Sequence, residues 1–219
     1  MDQFVYHIAH DIRASLRALR VIPDWIAEDI NEKYGEISPE TAQHIKILTT
    51  QAGRLDQMMQ DLLIYSRAGR EQTINEVNLE RMIEYQFSLI SVPSGHSFEC
   101  DLEAGILKVN EDDIGTLIGI LLSNAFRHGG PQVKISSVQS EDEIHLSVWD
   151  NGPGIPPKYH EKIFQVMTTL QSRDDVEGSG LGLATAQKLM RKQGGFITIE
   201  SEGDGTGTTF TAIFPNQTK

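Results

Sequence analysis

Residues 143–156, EIHLSVWDNGPGIP, read as a short strand, EIHLSVWD, running straight into a glycine-bearing loop. Asp150 stands at the mouth of that loop, and Gly152 and Gly154 permit a tight backbone. A carboxylate there can accept a hydrogen bond from a ligand amine, such as that of adenine. Taken alone, a glycine pair in a loop is more often ordinary turn chemistry. The reading therefore depends on what surrounds it.

Around this segment the chain mixes strands with helices. SFECDL, ILKV and QVKISSV read as further short strands, and LERMIEYQFSLI and DDIGTLIGILLSNAFRHG as helices. A last helix, LGLATAQKLMRKQGG, precedes a hairpin, FITIESEGDGTGTTFTAIF, whose turn is rich in glycine. The mixture predicts a two-layer α/β sandwich over residues 71–219. Two of its segments carry chemistry. LLSNAFRHGG (121–130) closes a helix with Asn124, Arg127 and His128. Asn124 and Arg127 are three apart, so they share a face and offer an oxygen to a metal and a cation to phosphate. By itself, such an asparagine is more often a helix C-cap. EGSGLGLATAQ (177–187) sets Gly178, Gly180 and Gly182 ahead of a helix, where backbone donors can meet phosphates. It is not a dinucleotide fingerprint: the third glycine position is Leu183, and no predicted strand precedes it.

The first seventy residues behave differently. Phe4, Ile8, Ile12, Leu16, Leu19, Ile22, Ile26 and Ile30 recur every three or four residues, which makes an apolar stripe of roughly 120° on a helix. His10 lies roughly 190° from the stripe's centre, on the outer face with Arg13, Arg17 and Arg20. Pro23 predicts a kink, or a break and restart. NEKYGEISPE supplies a turn, with Gly35 suited to a helix end, Ser38 to an N-cap and Pro39 to a first helical position. A second helix follows through Ile45, Leu48, Ala52, Leu55, Met59, Leu62 and Ser66, a heptad seam. Two such helices bury too little alone. Dimerisation into a four-helix bundle solves that, and packing of a single hairpin on the second domain is the alternative. A polar joint near residues 68–76 separates domains at 1–70 and 71–219.

Composition narrows the function classes. The chain has 219 residues, 39% hydrophobic and 23% charged, an ordinary globular balance. Its net charge of −12 argues against a nucleic-acid partner, which needs a basic face. The charge is uneven, about −2 over residues 1–70 and −10 over 71–219. The single Cys100 cannot form an internal disulfide, so a cytoplasmic location is expected. No apolar run reaches the ~18 residues of a membrane span, so no direct membrane insertion is expected of this stretch. Beginning at MDQF, immediately before the histidine-bearing helix, the chain reads as the output part of something longer.

With the segments in order, the whole chain resembles the catalytic core of a sensor histidine kinase. HDIRASLR is similar to the family's phosphoacceptor box, LLSNAFRHG to its N box, WDNGPGIP to its G1 box, IFQVM to its F box and GSGLGLA to its G2 box. The closing GTGTTFTAIFP, with Thr208, is also typical, and the lid IFQVMTTLQSRDDVEGSGLGLA resembles those of phytochrome-type kinases. The resemblance implies an α+β fold: a dimeric four-helix bundle followed by an ATP-binding sandwich of the Bergerat (GHKL) type. It implies His10 as the phosphorylated residue and Asp11 as the acid that orients and deprotonates it. It implies Asn124 as the Mg²⁺ ligand, Arg127 and His128 on the triphosphate, and Asp150 on adenine. Gly152, Gly154, Gly178, Gly180, Leu181 and Gly182 would shape the pocket, with a lid between Phe164 and Gly178. ATP and Mg²⁺ are the implied cofactors. A homodimer and the receiver domain of a response regulator are the implied partners.

Departures from the pattern carry expectations of their own. Ser15 stands where the family usually has proline, and Ala14 where many relatives have Thr or Asn to place a hydrolytic water. Alanine cannot orient water, so weak phosphatase activity is expected. Arg127 replaces a commoner lysine, and Met167 a second lid phenylalanine. Three other readings compete. A gyrase- or chaperone-type ATPase needs a glutamate one turn before Asn124, where this chain has Ile120. A degenerate docking module would bind no nucleotide. A metal site at His7, His10 and Asp11 lacks a convincing fourth ligand.

Overall fold

The computed structural model describes residues 2–70, 73–170 and 178–216; the side chains of residues 2–11, 13 and 14 lie outside that description. The chain divides into two units, Met1–Arg67 with Thr169–Leu181, and Ala68–Thr168 with Gly182–Lys219.

The first unit is a helical hairpin of α1 (Asp2–Tyr34) and α2 (Pro39–Arg67). Its turn follows from composition. Gly35 takes φ 87°, a region that suits glycine, and donates to the Asn31 carbonyl. The Ser38 hydroxyl accepts from the Thr41 amide at 3.1 Å, and Pro39 opens the helix without wasting a donor. α1 continues through Pro23, so the expected break and restart does not occur. The proline ring is buried, which offsets the missing donor.

The apolar stripe of α1 is divided in use. Leu16, 4% exposed, and Pro23 are buried, with Ala27 and Ile30 half-buried. On the wheel these four centre roughly 60° to one side of the stripe's midline. Ile12, Leu19, Ile22 and Ile26 remain exposed, Leu19 at 48%. On α2, Ala52 and Leu63 are buried while Leu48 and Leu55 are exposed. One hairpin thus covers one flank of each seam.

The second unit is α+β. Strands β1 (Asn75–Asn78) and β3 (Ile106–Val109) pair antiparallel as a small ribbon. A mixed five-stranded sheet has the order β2-β4-β5-β7-β6, formed by β2 (Ser97–Leu102), β4 (Gln132–Gln139), β5 (Glu143–Asp150), β6 (Phe196–Glu200) and β7 (Thr208–Pro215). Among the described strands the neighbouring pair β2–β4 is parallel, and β4–β5, β5–β7 and β7–β6 are antiparallel. Helices α3 (Leu79–Ser88), α4 (Glu111–His128) and α5 (Gly182–Lys192) supply the other half of one apolar core. Leu117, Ile118, Leu121 and Leu122 of α4 meet Ile135, Leu146 and Phe210 of the sheet in that core. Alternation fixes the sheet's inner face: Ile144, Leu146, Val148 and Asp150 are the buried positions of β5.

The joint after α2 is less open than its polarity suggests. Ala68 belongs to the buried core, the Gly69 amide lies 3.5 Å from Asp113 Oδ1, and β1 begins at Asn75. A four-residue strand with Val77 as its one apolar residue carries no period that a sequence reading can detect.

Candidate functional site

Asp150 closes the buried row of β5 at the strand's C-terminal end, where the apolar phase calls for another Val or Leu. It is 5% exposed. Its Oδ1 accepts from the Gly152 amide at 2.9 Å, and the Gly130 amide also donates to the carboxylate. Burial pushes its pKa above the ordinary carboxylate value, and the two amides draw it part of the way back. A buried acid held by two backbone donors retains acceptor capacity for a ligand.

Glycines make the cradle around it. α4 ends at His128 with Gly129 as its C-cap. A Cβ on Gly129 would stand 2.6 Å from Asp150 Cβ and Cγ, and one on Gly152 would stand 2.6 Å from Gly129 Cα. Gly154 takes φ 76°, with Gly203 Cα 2.8 Å from where its Cβ would be. The loop Gly152–Ile155 is therefore pressed between the end of α4 and the β6–β7 turn. Asn151 braces the base of this loop, accepting from the Gln132 amide at 2.8 Å. Thr208, buried, opens β7 directly opposite Asp150 in the register.

Asn124, Arg127 and His128 lie on the last turns of α4, the first half-buried and the other two exposed. Asn124 is within the helix, so the C-cap reading falls to Gly129. Arg127 and His128 also complement the carbonyl end of the helix dipole, a structural role that needs no ligand. Ile120, one turn before Asn124, is packed against the core, and its Cγ2 would be 3.5 Å from a Cβ on Gly182. Phe164 meets Phe210 edge to face, with centroids 6.3 Å apart. Met167 is exposed and takes φ 61°, in a turn in which the Thr168 amide donates to Gln165.

The glycine-rich segment before α5 falls partly in each unit. Gly182 is the first residue of α5, in the sandwich unit. Gly178, Gly180 and Leu181 group with the helical unit; Gly180 has φ 70°, and the Leu181 amide donates to the buried Ser179 hydroxyl at 3.1 Å. The middle of the expected lid, residues 171–177, lies outside the described residues. His10 is on α1, and its side chain and those of His7 and Asp11 are likewise outside the description. Among the described residues no cluster of three acidic, histidine or cysteine side chains could hold a metal. An ion here would depend on one protein oxygen, that of Asn124, plus phosphate oxygens and water, a donor set that suits Mg²⁺.

Sequence reading missed Gly129, Gly130, Ser201 and Gly207. HGG and GDGTG were visible as glycine clusters, but their convergence on Asp150 requires the sheet to be assembled.

Residues 109–218 match the family described as histidine kinase-, DNA gyrase B-, and HSP90-like ATPase. The chain is 27% identical over 225 residues to the signal transduction histidine-protein kinase AfsQ2 of Streptomyces coelicolor, covering 97% of this chain and 41% of that protein. It is 31% identical over 224 residues to the sensor histidine kinase ZraS of Salmonella typhimurium, covering 98% and 46%. The full-length structure of ShkA in complex with AMPPNP superimposes with a TM-score of 0.71 over 98% of this chain and 46% of that one, at 21% identity. The chain spans less than half the length of these relatives. No described helix is long and apolar enough to cross a membrane.

Proposed function

We propose that this chain, which belongs to the histidine kinase-, DNA gyrase B- and HSP90-like ATPase family, is the catalytic core of a sensor histidine kinase, and that it uses ATP to phosphorylate His10 and passes the phosphoryl group to an aspartate of a response regulator. The observation that carries the reading is Asp150: a buried carboxylate fixed by two backbone amides in a glycine cradle at a strand end. It would accept the adenine amine. Asn124 would hold Mg²⁺, whose charge offsets that of the phosphates, and Arg127 and His128 would meet the triphosphate. Gly182, Phe164 and Thr208, all of the second unit, would frame the nucleotide.

Asp11 would hold one nitrogen of the His10 ring and take its proton. The other nitrogen then attacks the γ-phosphorus, the bond to the β–γ bridging oxygen breaks, and ADP leaves. Unperturbed imidazole titrates near ~6.5, so much of it is a neutral nucleophile at pH 7. Residues 1–70 would form the phosphoacceptor domain and 71–219 the ATP-binding domain. The uncovered seams at Leu19, Ile22, Ile26, Leu48 and Leu55 support assembly with a second copy into a four-helix bundle.

The hydrolase alternative has no base at Ile120. Ala14 makes weak phosphatase activity the expectation; rapid removal of phosphate from a receiver by protein lacking His10 would reject it. The receiver would dock on the Arg face. Arg17 and Arg20 line a groove of about 560 Å³ with Asp56, Gln60, Leu63 and Arg67, and Arg20 pairs with Asp56 at 3.4 Å. The nucleotide reading is tested by titrating wild type and Asp150→Asn with a non-hydrolysable ATP analogue. Wild type should bind and the variant should lose most of its affinity; equal affinity would remove Asp150 from the site.

A further inference from the structure

We infer that Ser201, in the turn between β6 and β7, is a positioning residue for the nucleotide site. Its single hydroxyl ties the Asp150 loop to that turn. The inference rests on the nucleotide reading above.

The hydrogen-bond directions are determined. Ser201 Oγ lies 2.6 Å from the Gly207 carbonyl, which can only accept, so the hydroxyl proton is committed there. The Ile155 amide lies 2.8 Å from the same oxygen and donates into its lone pair. One side chain thus satisfies a carbonyl in the turn and an amide in the loop. Thr208 Oγ1, at 3.5 Å, flanks the pair.

Both ends of this tie reach the Asp150 cradle. Ile155 ends the loop whose Gly152 amide holds the Asp150 carboxylate. Gly207 has φ 78°, and a Cβ there would collide with the Asp150 carbonyl and stand 3.3 Å from Asn151 Cα, so the turn touches the cradle's own backbone. Two backbone bonds run parallel to the tie: Gly205 N–H to the Pro153 carbonyl at 2.8 Å, and Gly207 N–H to the Gly152 carbonyl at 3.1 Å. Close packing also passes through Ser201, since a Cβ on Gly154 would meet its Oγ at 3.0 Å. The backbone bonds fix the middle of the loop, and Ser201 fixes its far end. Without the hydroxyl, Ile155 N–H and the Gly207 carbonyl both lose their partner, and the loop is free to shift relative to Asp150.

The same sheet contains a control. Ser140 Oγ bridges the amide and carbonyl of Glu143 at 3.0 Å each, in the β4–β5 turn at the opposite end of β5. It makes the same pair of bonds with no connection to the Asp150 loop.

The test is equilibrium titration of the full chain with a non-hydrolysable ATP analogue, comparing wild type, Ser201→Ala, Ser201→Cys, Ser201→Thr and Ser140→Ala, each with its melting midpoint. Ser201→Ala should bind roughly tenfold more weakly, which corresponds to about 1.4 kcal/mol. Ser201→Thr, which keeps the hydroxyl, should recover most of that affinity. Ser140→Ala, which removes a hydroxyl bridge of the same kind away from the Asp150 loop, should bind like wild type. If Ser201→Ala does not fold, Ser201→Cys should still bind more weakly than wild type, because a thiol is a poor donor and acceptor. Wild-type affinity in Ser201→Ala or Ser201→Cys would overturn the inference, as would equal weakening by Ser140→Ala. Failure of the wild type to bind would overturn the nucleotide reading itself, and this inference with it.

Discussion

Gly129 and Asp150 are in contact so close that a methyl group on the glycine would stand 2.6 Å from the carboxyl carbon. The end of α4 and the end of β5 are thus set by one missing side chain. The acid keeps its backbone donors because α4 stops in a residue with no Cβ.

Gly129→Ala should therefore damage the site before it damages the fold. Relief of the overlap requires Asp150 or the helix end to move, at a cost of about 1–3 kcal/mol. Nucleotide affinity should fall by more than the stability loss alone explains. A stable variant that binds ATP analogue like wild type would show that the cradle does not need this contact.

Replacing Leu19 and Ile22 together with glutamate should yield a monomer. Both are exposed on the hairpin's uncovered flank, so the change costs the isolated chain little and places charge in the proposed bundle core. Sedimentation velocity would show half the wild-type mass. A variant that remains dimeric would locate the interface elsewhere.

Arg17 lies seven residues after His10, so on a helix it shares that face about 10 Å further along. Arg17→Glu should slow phosphoryl transfer to an acidic receiver roughly tenfold at low salt, with the gap narrowing as salt is added. Phosphorylation of His10 itself should change little. Transfer at the wild-type rate at all salt concentrations would rule out this docking face.

Asp113 gives a pH dependence. It is buried, accepting from Gln193 Nε2 at 3.3 Å and facing the Gly69 amide, with Asp112 beside it. Burial raises its pKa above the ordinary value. A group whose pKa is raised on folding contributes stability below its unfolded pKa of ~3.9 and loses it as pH rises through the folded value. Asp113→Asn does not ionise, so its stability relative to wild type should improve between pH 4 and pH 7. Denaturant unfolding at both values measures this, and a constant difference would contradict it.

Much of this was legible in the sequence because the informative features are local. The period of β5 ends on Asp150, the helix spacing pairs Asn124 with Arg127, and Gly35, Ser38 and Pro39 announce their turn. What could not be read involves distant partners. Ser201 and Ile155 are 46 residues apart and meet only when β5, β6 and β7 align. The division of the α1 stripe, with Leu16 covered and Leu19 exposed, depends on where α2 crosses it. Pro23 is tolerated because its ring is buried, a fact that the helix alone does not contain.

His10 is proposed to receive the γ-phosphoryl group of ATP. Wild type and His10→Gln should be incubated with Mg²⁺ and γ-labelled ATP, and the bound label tested for acid lability. Acid-labile label is expected on wild type, and none on a His10→Gln variant that still binds nucleotide. Label retained by the variant would contradict it.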